Sequence, residues 1–197
     1  MEERHLFVQL TPEILKEIMP RAGKRAAIFA DPISVACNRY QINTPLRLAA
    51  FLAQIAHESG SLLYVKELAS GEAYDTGKLA AALGNTPADD DDGRRYKGRG
   101  LIQITGTSNY KACSLGLFGD DRLLRNPELL EQPDNAALSA AWFWDSRGLN
   151  ALADAGDFRK ITKKINGGYN GWEDRLQFYT RAKQALSGGL VWKRLLA

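Results

Sequence analysis

Glu58 and Glu67 flank a glycine at position 60, and a polar, glycine-punctuated stretch follows downstream, Tyr96-Lys97-Gly98-Arg99-Gly100-Leu101-Ile102-Gln103-Ile104-Thr105-Gly106. Two carboxyl groups held across a substrate can divide the work of general acid and general base, which is the chemistry that cleaves a glycosidic bond. A separation of roughly 6.5–9.5 Å leaves room for a water and gives inversion, whereas roughly 5–5.5 Å gives retention. Spacing along the chain does not choose between them.

Thr44-Pro45 opens a helix on which Glu58 falls beside Phe51 and Ile55, on the flank of the apolar stripe and two residues before the helix stop at Gly60. Apolar surroundings and the negative end of the helix dipole both favour the protonated form of a carboxyl, as a general acid requires. The same position also suits a solvated glutamate on a helix edge. Glu67 follows Leu62-Leu63-Tyr64-Val65, where the chain leaves the helix, and it reads equally as a surface acid, with Glu72 and Asp75 as rival candidates. In the downstream stretch Gln103 and Thr105 alternate with Leu101 on one face, while Ile102 and Ile104 pack inward. This pattern predicts a small hairpin or extended segment whose polar residues hold sugar hydroxyls or a water, or are simply exposed.

The elements that must position these residues are mainly helical. Thr11-Pro12, Asp31-Pro32, Thr44-Pro45 and Asn126-Pro127 each pair a capping side chain with a proline suited to the first helical position. Apolar residues then recur at helical spacing, and further helices are expected over about 133–147, 157–166 and 172–186. Between Ser70 and Arg95 the periodicity dissolves into glycines and the run Asp89-Asp90-Asp91-Asp92, which predicts a long surface loop. The run lacks the alternate ligand spacing of a calcium-binding loop and reads as a solvated acidic turn. With no internal repeat or linker, the chain is expected to be one domain over 1–197.

Composition is that of an ordinary globular protein, 45% hydrophobic and 25% charged. Cys37 and Cys113 lack the spacing of a zinc or redox site and are expected as buried thiols. The net charge of +3 is mildly basic and suits an anionic polymer such as a cell wall. No basic start followed by an apolar run is present, and no window reaches the roughly eighteen apolar residues of a membrane span. The expectation is a protein made in the cytoplasm, without membrane insertion. The tail from Gly188 to Ala197 is expected to dock Trp192 and its leucines on the body.

Taken together, these blocks resemble the family 19 glycoside hydrolases, the plant-type chitinases and their phage endolysin relatives. The resemblance runs from about Leu46 to Leu186 and rests on residues 53–60, 67–71, 96–106 with Asn109-Tyr110, Asn166-Gly167-Gly168, and Asp174-Arg175-Leu176-Gln177-Phe178-Tyr179. It implies a mainly α, lysozyme-like fold of two lobes, with a small β-hairpin beside the groove between them. It also implies an inverting mechanism without cofactor or metal. Glu58 is then the general acid, Glu67 the general base, and Thr105 the hydroxyl that helps hold the attacking water. Gln103, Tyr110 and Asn166 match positions that line the substrate groove, and Arg175 matches an arginine that charges and orients the acids.

The chain is shorter than the plant chitinases and has two cysteines where they have several disulfides. In this it looks like the single-domain endolysins of phages infecting Gram-negative bacteria, which cut peptidoglycan between N-acetylmuramic acid and N-acetylglucosamine. The partners so implied are peptidoglycan glycan strands and no nucleic acid. The expected protein is a monomer, made in the host cytoplasm and released by a holin to act on the wall in the periplasm. A bacterial chitinase or a secreted cell-wall-degrading toxin with an immunity partner would share the chemistry. A catalytically silent glycan-binding module would not be expected to retain both Glu58 and Glu67.

Overall fold

The computed structural model describes residues 6–188 and 192–194. Within them lie α1 (Pro12–Ile18), α2 (Arg25–Arg39), α3 (Pro45–Glu58), α4 (Gly77–Leu83), α5 (Asp92–Arg95), α6 (Thr107–Phe118), α7 (Arg122–Arg125), α8 (Pro133–Ser146), α9 (Leu149–Asp154), α10 (Phe158–Asn166) and α11 (Trp172–Leu186). Strands β1 (Leu6–Val8) and β2 (Trp192–Arg194) complete a mainly α protein.

Capping chemistry explains several helix starts. The hydroxyls of Thr11 and Thr44 each accept the N–H three residues on, from Ile14 and Arg47, and Asp157 accepts that of Lys160 at 2.9 Å. Asp31-Pro32 behaves differently: it lies inside α2 and starts nothing. Proline removes the N–H that the Ile28 carbonyl would accept, and Ile28 is 54% exposed, so water can reach that turn. Asn126-Pro127 opens only a short 3-10 turn, Pro127–Glu131, with no side-chain cap bond.

Two compact units are present, one formed by the chain up to Leu63 together with the chain from Trp144, the other by Tyr64–Phe143. In the first, α3 packs along α11 around Leu48, Leu52, Ile55 and Ala182, all buried. Phe51 meets Trp144 edge to face at 5.4 Å, and the Trp144 indole donates to Asn150 at 2.8 Å. β1 and β2 pair antiparallel, with Leu6 opposite Arg194 and Val8 opposite Trp192. The backbone of 192–194 is thus docked, while the tail leucines at 190, 195 and 196 lie outside the described residues. Cys37 is a buried free thiol of this unit.

The second unit corrects two expectations. The stretch 70–95 is not one long loop but holds a 3-10 turn at Glu72–Tyr74 with α4 and α5. Its acidic run is exposed at Asp89, Asp90 and Asp91, yet it wraps the buried Asp75, which accepts the N–H groups of Gly93 at 3.0 Å and Asp91 at 3.3 Å. In place of a strand with alternating faces, Arg99 and Ile104 exchange both backbone hydrogen bonds, at 3.1 and 2.8 Å, and close a tight turn. Leu101 is therefore buried together with Ile102 and Ile104, while Gln103 and Thr105 stay half-exposed. Cys113 is also a buried free thiol, pushed up to about 12 by burial. Among the described residues no helix is long and apolar enough to cross a membrane.

Candidate active site

Glu58 is the last residue of α3, and its carboxylate meets a cation rather than a purely apolar wall. Arg175 Nη2 donates to Glu58 Oε1 at 2.5 Å. The arginine is fully buried, and a buried guanidinium is tolerated only when its donors are satisfied. Its Nη1 donates to Gln54 Oε1, and its Nε to the Asn170 carbonyl at 3.0 Å. Gln54 in turn donates to the Thr162 hydroxyl at 2.8 Å, which donates to the Phe158 carbonyl at 3.1 Å. One chain of hydrogen bonds thus runs from α10 through α3 to α11 and ends on Glu58.

Asn166 belongs to the same assembly. At the end of α10 its Oδ1 accepts the Asn170 N–H at 3.2 Å, which shapes the turn presenting the Asn170 carbonyl to Arg175. On the neighbouring face His57 Nδ1 lies 2.7 Å from Asp174 Oδ2. Gly171 lies flat against the imidazole, where a Cβ would overlap the ring.

In the second unit, Glu67 is held by its backbone N–H, which donates to the Gly98 carbonyl at 2.9 Å. Tyr74 donates to Glu67 Oε2 at 3.2 Å, and burial followed by the Glu67 charge pushes the Tyr74 phenol above its usual range. Glu67 Oε1 is buried and has no hydrogen-bond partner among the described residues. A Cβ built on Gly98 would lie 2.5 Å from Gln103 Oε1 and 2.9 Å from Glu67 Oε2, so this glycine lets the two side chains share one small space. The rivals fare differently: Glu72 is exposed and pairs with Arg94 at 3.3 Å, and Asp75 caps backbone N–H groups.

Thr105 is half-exposed, and its hydroxyl has no hydrogen-bond partner among the described residues; its carbonyl accepts from Asn109 at 2.8 Å. Tyr110, expected along the groove, is instead fully buried. Its hydroxyl donates to the Lys97 carbonyl at 2.6 Å and accepts from Arg99 at 2.9 Å, and burial pushes the phenol well above its ordinary value. Arg99 continues to Glu131 at 2.9 Å, where Lys66 also pairs at 3.2 Å. Tyr110 therefore braces the backbone around Gly98 from inside.

Asp75, Asp90 and Asp92 bring carboxylate oxygens within 4.8 Å of one another. The Gly93 N–H holds Asp75 below its usual range, while burial and the neighbouring Asp75 push Asp92 above its own.

Sequence reading did not single out Gln54, Thr162, Asn170, Tyr74 or Gly98. Gln54 had a usable signal: it is the one amide in an otherwise apolar run, four residues before Glu58 and so on the same helix face. The others become visible only once distant segments meet.

The sequence profile of the family described as "Chitinase class I" matches residues 36–151. A Haemophilus influenzae protein described as "Glycosyl hydrolase family 19 domain-containing protein" is 32% identical over 160 residues, covering 68% of this chain and 77% of that one. An endochitinase of Arabidopsis thaliana is 32% identical over 169 residues, and this chain spans only 56% of its length while 81% of this chain is covered. Among solved structures, chitinase C from Streptomyces griseus HUT6037 superposes with a TM-score of 0.73 at 25% identity, over 94% of this chain and 95% of that one. This chain is a glycoside hydrolase and belongs to family 19.

Proposed function

We propose that the protein is an endolysin that hydrolyses the β-1,4 bond between N-acetylmuramic acid and N-acetylglucosamine in bacterial peptidoglycan, by single displacement with inversion. The observation that supports the placing of Glu58 is its 2.5 Å contact with the fully buried Arg175, whose other donors reach Gln54 and Asn170. Glu58 gives its proton to the leaving glycosidic oxygen as the bond to the anomeric carbon breaks. Glu67 takes a proton from a water, held by the Thr105 hydroxyl, as the water oxygen bonds to that carbon from the opposite face. Gln103 and Asn166 contact the sugar, and Arg175 and Tyr110 act as positioning residues.

The protein works as a monomer, made in the host cytoplasm and admitted to the periplasm by a holin. Its net charge of +3 favours the anionic wall. A second reading, a bacterial chitinase, is favoured by the names of the Arabidopsis and Streptomyces relatives. Digestion of purified Gram-negative peptidoglycan and of chitin, with mass spectrometry of the new reducing ends, separates them. Muramic acid at the reducing end supports the muramidase reading, glucosamine there makes the enzyme a glucosaminidase, and cleavage of chitin alone makes it a chitinase.

A further inference from the structure

Within the first unit, a cavity of about 320 Å³ lies behind the residue that precedes Glu58. Its wall includes Arg21, Arg181, Ser61, Phe178 and the pair His57 and Asp174. Its size is in the range that takes a small organic group. Both arginines are exposed, and neither guanidinium has a hydrogen-bond or ion-pair partner among the described residues. Ser61 is 3% exposed, yet its hydroxyl also has no partner among them. The serine is held at φ 58°, in the left-handed region that non-glycine residues rarely adopt, by its N–H bond to the Ala56 carbonyl at 2.8 Å. Asp174 is turned to His57 at 2.7 Å, and the two guanidinium groups of the wall outnumber its one carboxylate.

We propose that this cavity is a carboxylate-binding site that receives the acyl or peptidyl substituent of the sugar next to the cleaved bond. The two arginines bind the carboxylate, Ser61 adds a hydroxyl donor, and Phe178 packs on the apolar part. Guanidinium groups match carboxylates in a forked geometry that no neutral sugar hydroxyl reproduces. Chitin, an uncharged polymer, offers nothing to such a pair, whereas the peptide of a wall glycan, or the lactyl group where the peptide is missing, offers carboxylates. This inference rests on the peptidoglycan reading and assigns the part of that substrate which the catalytic acids do not touch.

The test uses the full chain and two kinds of readout. N-acetylmuramyl-L-alanyl-D-glutamate, its fully amidated analogue and inorganic phosphate are titrated calorimetrically into the parent, Arg21→Ala/Arg181→Ala and Ser61→Ala. The carboxylate ligand is expected to bind the parent at least about tenfold more tightly than the double variant, with the amidated analogue and phosphate both weak. Equal binding by the double variant, or phosphate binding as tight as the muramyl ligand, overturns the proposal. Cleavage is then compared on intact peptidoglycan and on strands stripped of peptide by an amidase, with the lactyl carboxyls so exposed converted to amides by carbodiimide and ammonia. A raised KM for the double variant on intact material alone supports the site, and an equal effect on both substrates overturns it. A parent that binds the muramyl ligand through Arg21 and Arg181 but leaves peptidoglycan uncut refutes the muramidase reading and keeps the site. A parent that cuts peptidoglycan equally well with and without the two arginines does the reverse.

Discussion

Arg175 reaches Glu58 across 117 residues of sequence, and the contact joins a fully buried cation to a carboxylate whose side chain is 23% exposed. The buried end fixes position and the exposed end is free to meet a substrate. Glu58→Gln keeps the shape and the hydrogen bond but removes the transferable proton and the anion facing buried Arg175, so hydrolysis should fall at least about 100-fold and stability by about 1–3 kcal/mol. Release of reducing ends and the melting temperature check this, and undiminished cell-wall digestion by the variant would remove Glu58 from the mechanism. Arg175→Ala should lower stability by about 3 kcal/mol, because Gln54 and Glu58 lose their shared partner.

Gly98→Ala tests the shared space of Glu67 and Gln103. The added methyl must displace one or both side-chain ends, since it would approach their oxygens to 2.9 and 2.5 Å. A shift of a few tenths of an ångström in a positioned base is expected to lower kcat about tenfold or more while the fold survives. Near-parental kcat would mean that neither side chain needs its present position.

Tyr110→Phe separates a buried brace from a sugar contact. Removing the hydroxyl takes the short bond from the Lys97 carbonyl, which keeps only a 3.5 Å contact with Arg99, and one acceptor from Arg99, which should cost about 1–3 kcal/mol in urea unfolding. KM for soluble glycan fragments should change little. A large rise in KM with unaltered stability would restore the substrate-lining role.

The ion pair of Arg47 with Asp154 gives a pH signature. Arg47 donates to both carboxylate oxygens, at 2.8 and 2.6 Å, and these hydrogen bonds hold Asp154 below the usual aspartate range. A value lower in the folded than in the unfolded state means that the stabilisation is complete above the unfolded pKa of about 3.9 and is lost as pH falls through the folded one. Because Asp154 is 43% exposed, solvent screening limits the effect to about 0.5 kcal/mol. Urea midpoints of the parent and Asp154→Asn should differ at pH 6 and converge near pH 2; a constant gap would contradict the assignment.

Local chemistry was legible where the deciding partner lies within a turn or two. Thr11, Thr44 and Asp157 cap helices because each needs only an N–H three residues on. Pro32 defeated the same rule, because the N–H it withdraws belongs to a turn that solvent can satisfy. The expected hairpin is present in the antiparallel pairing of Arg99 with Ile104, but the expected alternation of faces over 101–105 fails, because a tight turn buries Leu101 with Ile102 and Ile104. At the candidate site, Glu58, Glu67 and Thr105 were visible as residue types in recognisable blocks. Arg175 was visible in the same way as an arginine that orients the acids, but its links to Gln54 and Thr162 were not, since they come from three helices and satisfy a buried charge.

Sequence order also gives the first unit a timetable. Tyr64–Phe143 is continuous and can gather its contacts as it leaves the ribosome, whereas α3 waits for α11, and Glu58 waits for a partner made 117 residues later. During synthesis the acid therefore exists as a bare helix end long before it has a fixed orientation. A nascent chain stopped short of Arg175 carries both glutamates and Thr105 without the clamp that holds Glu58.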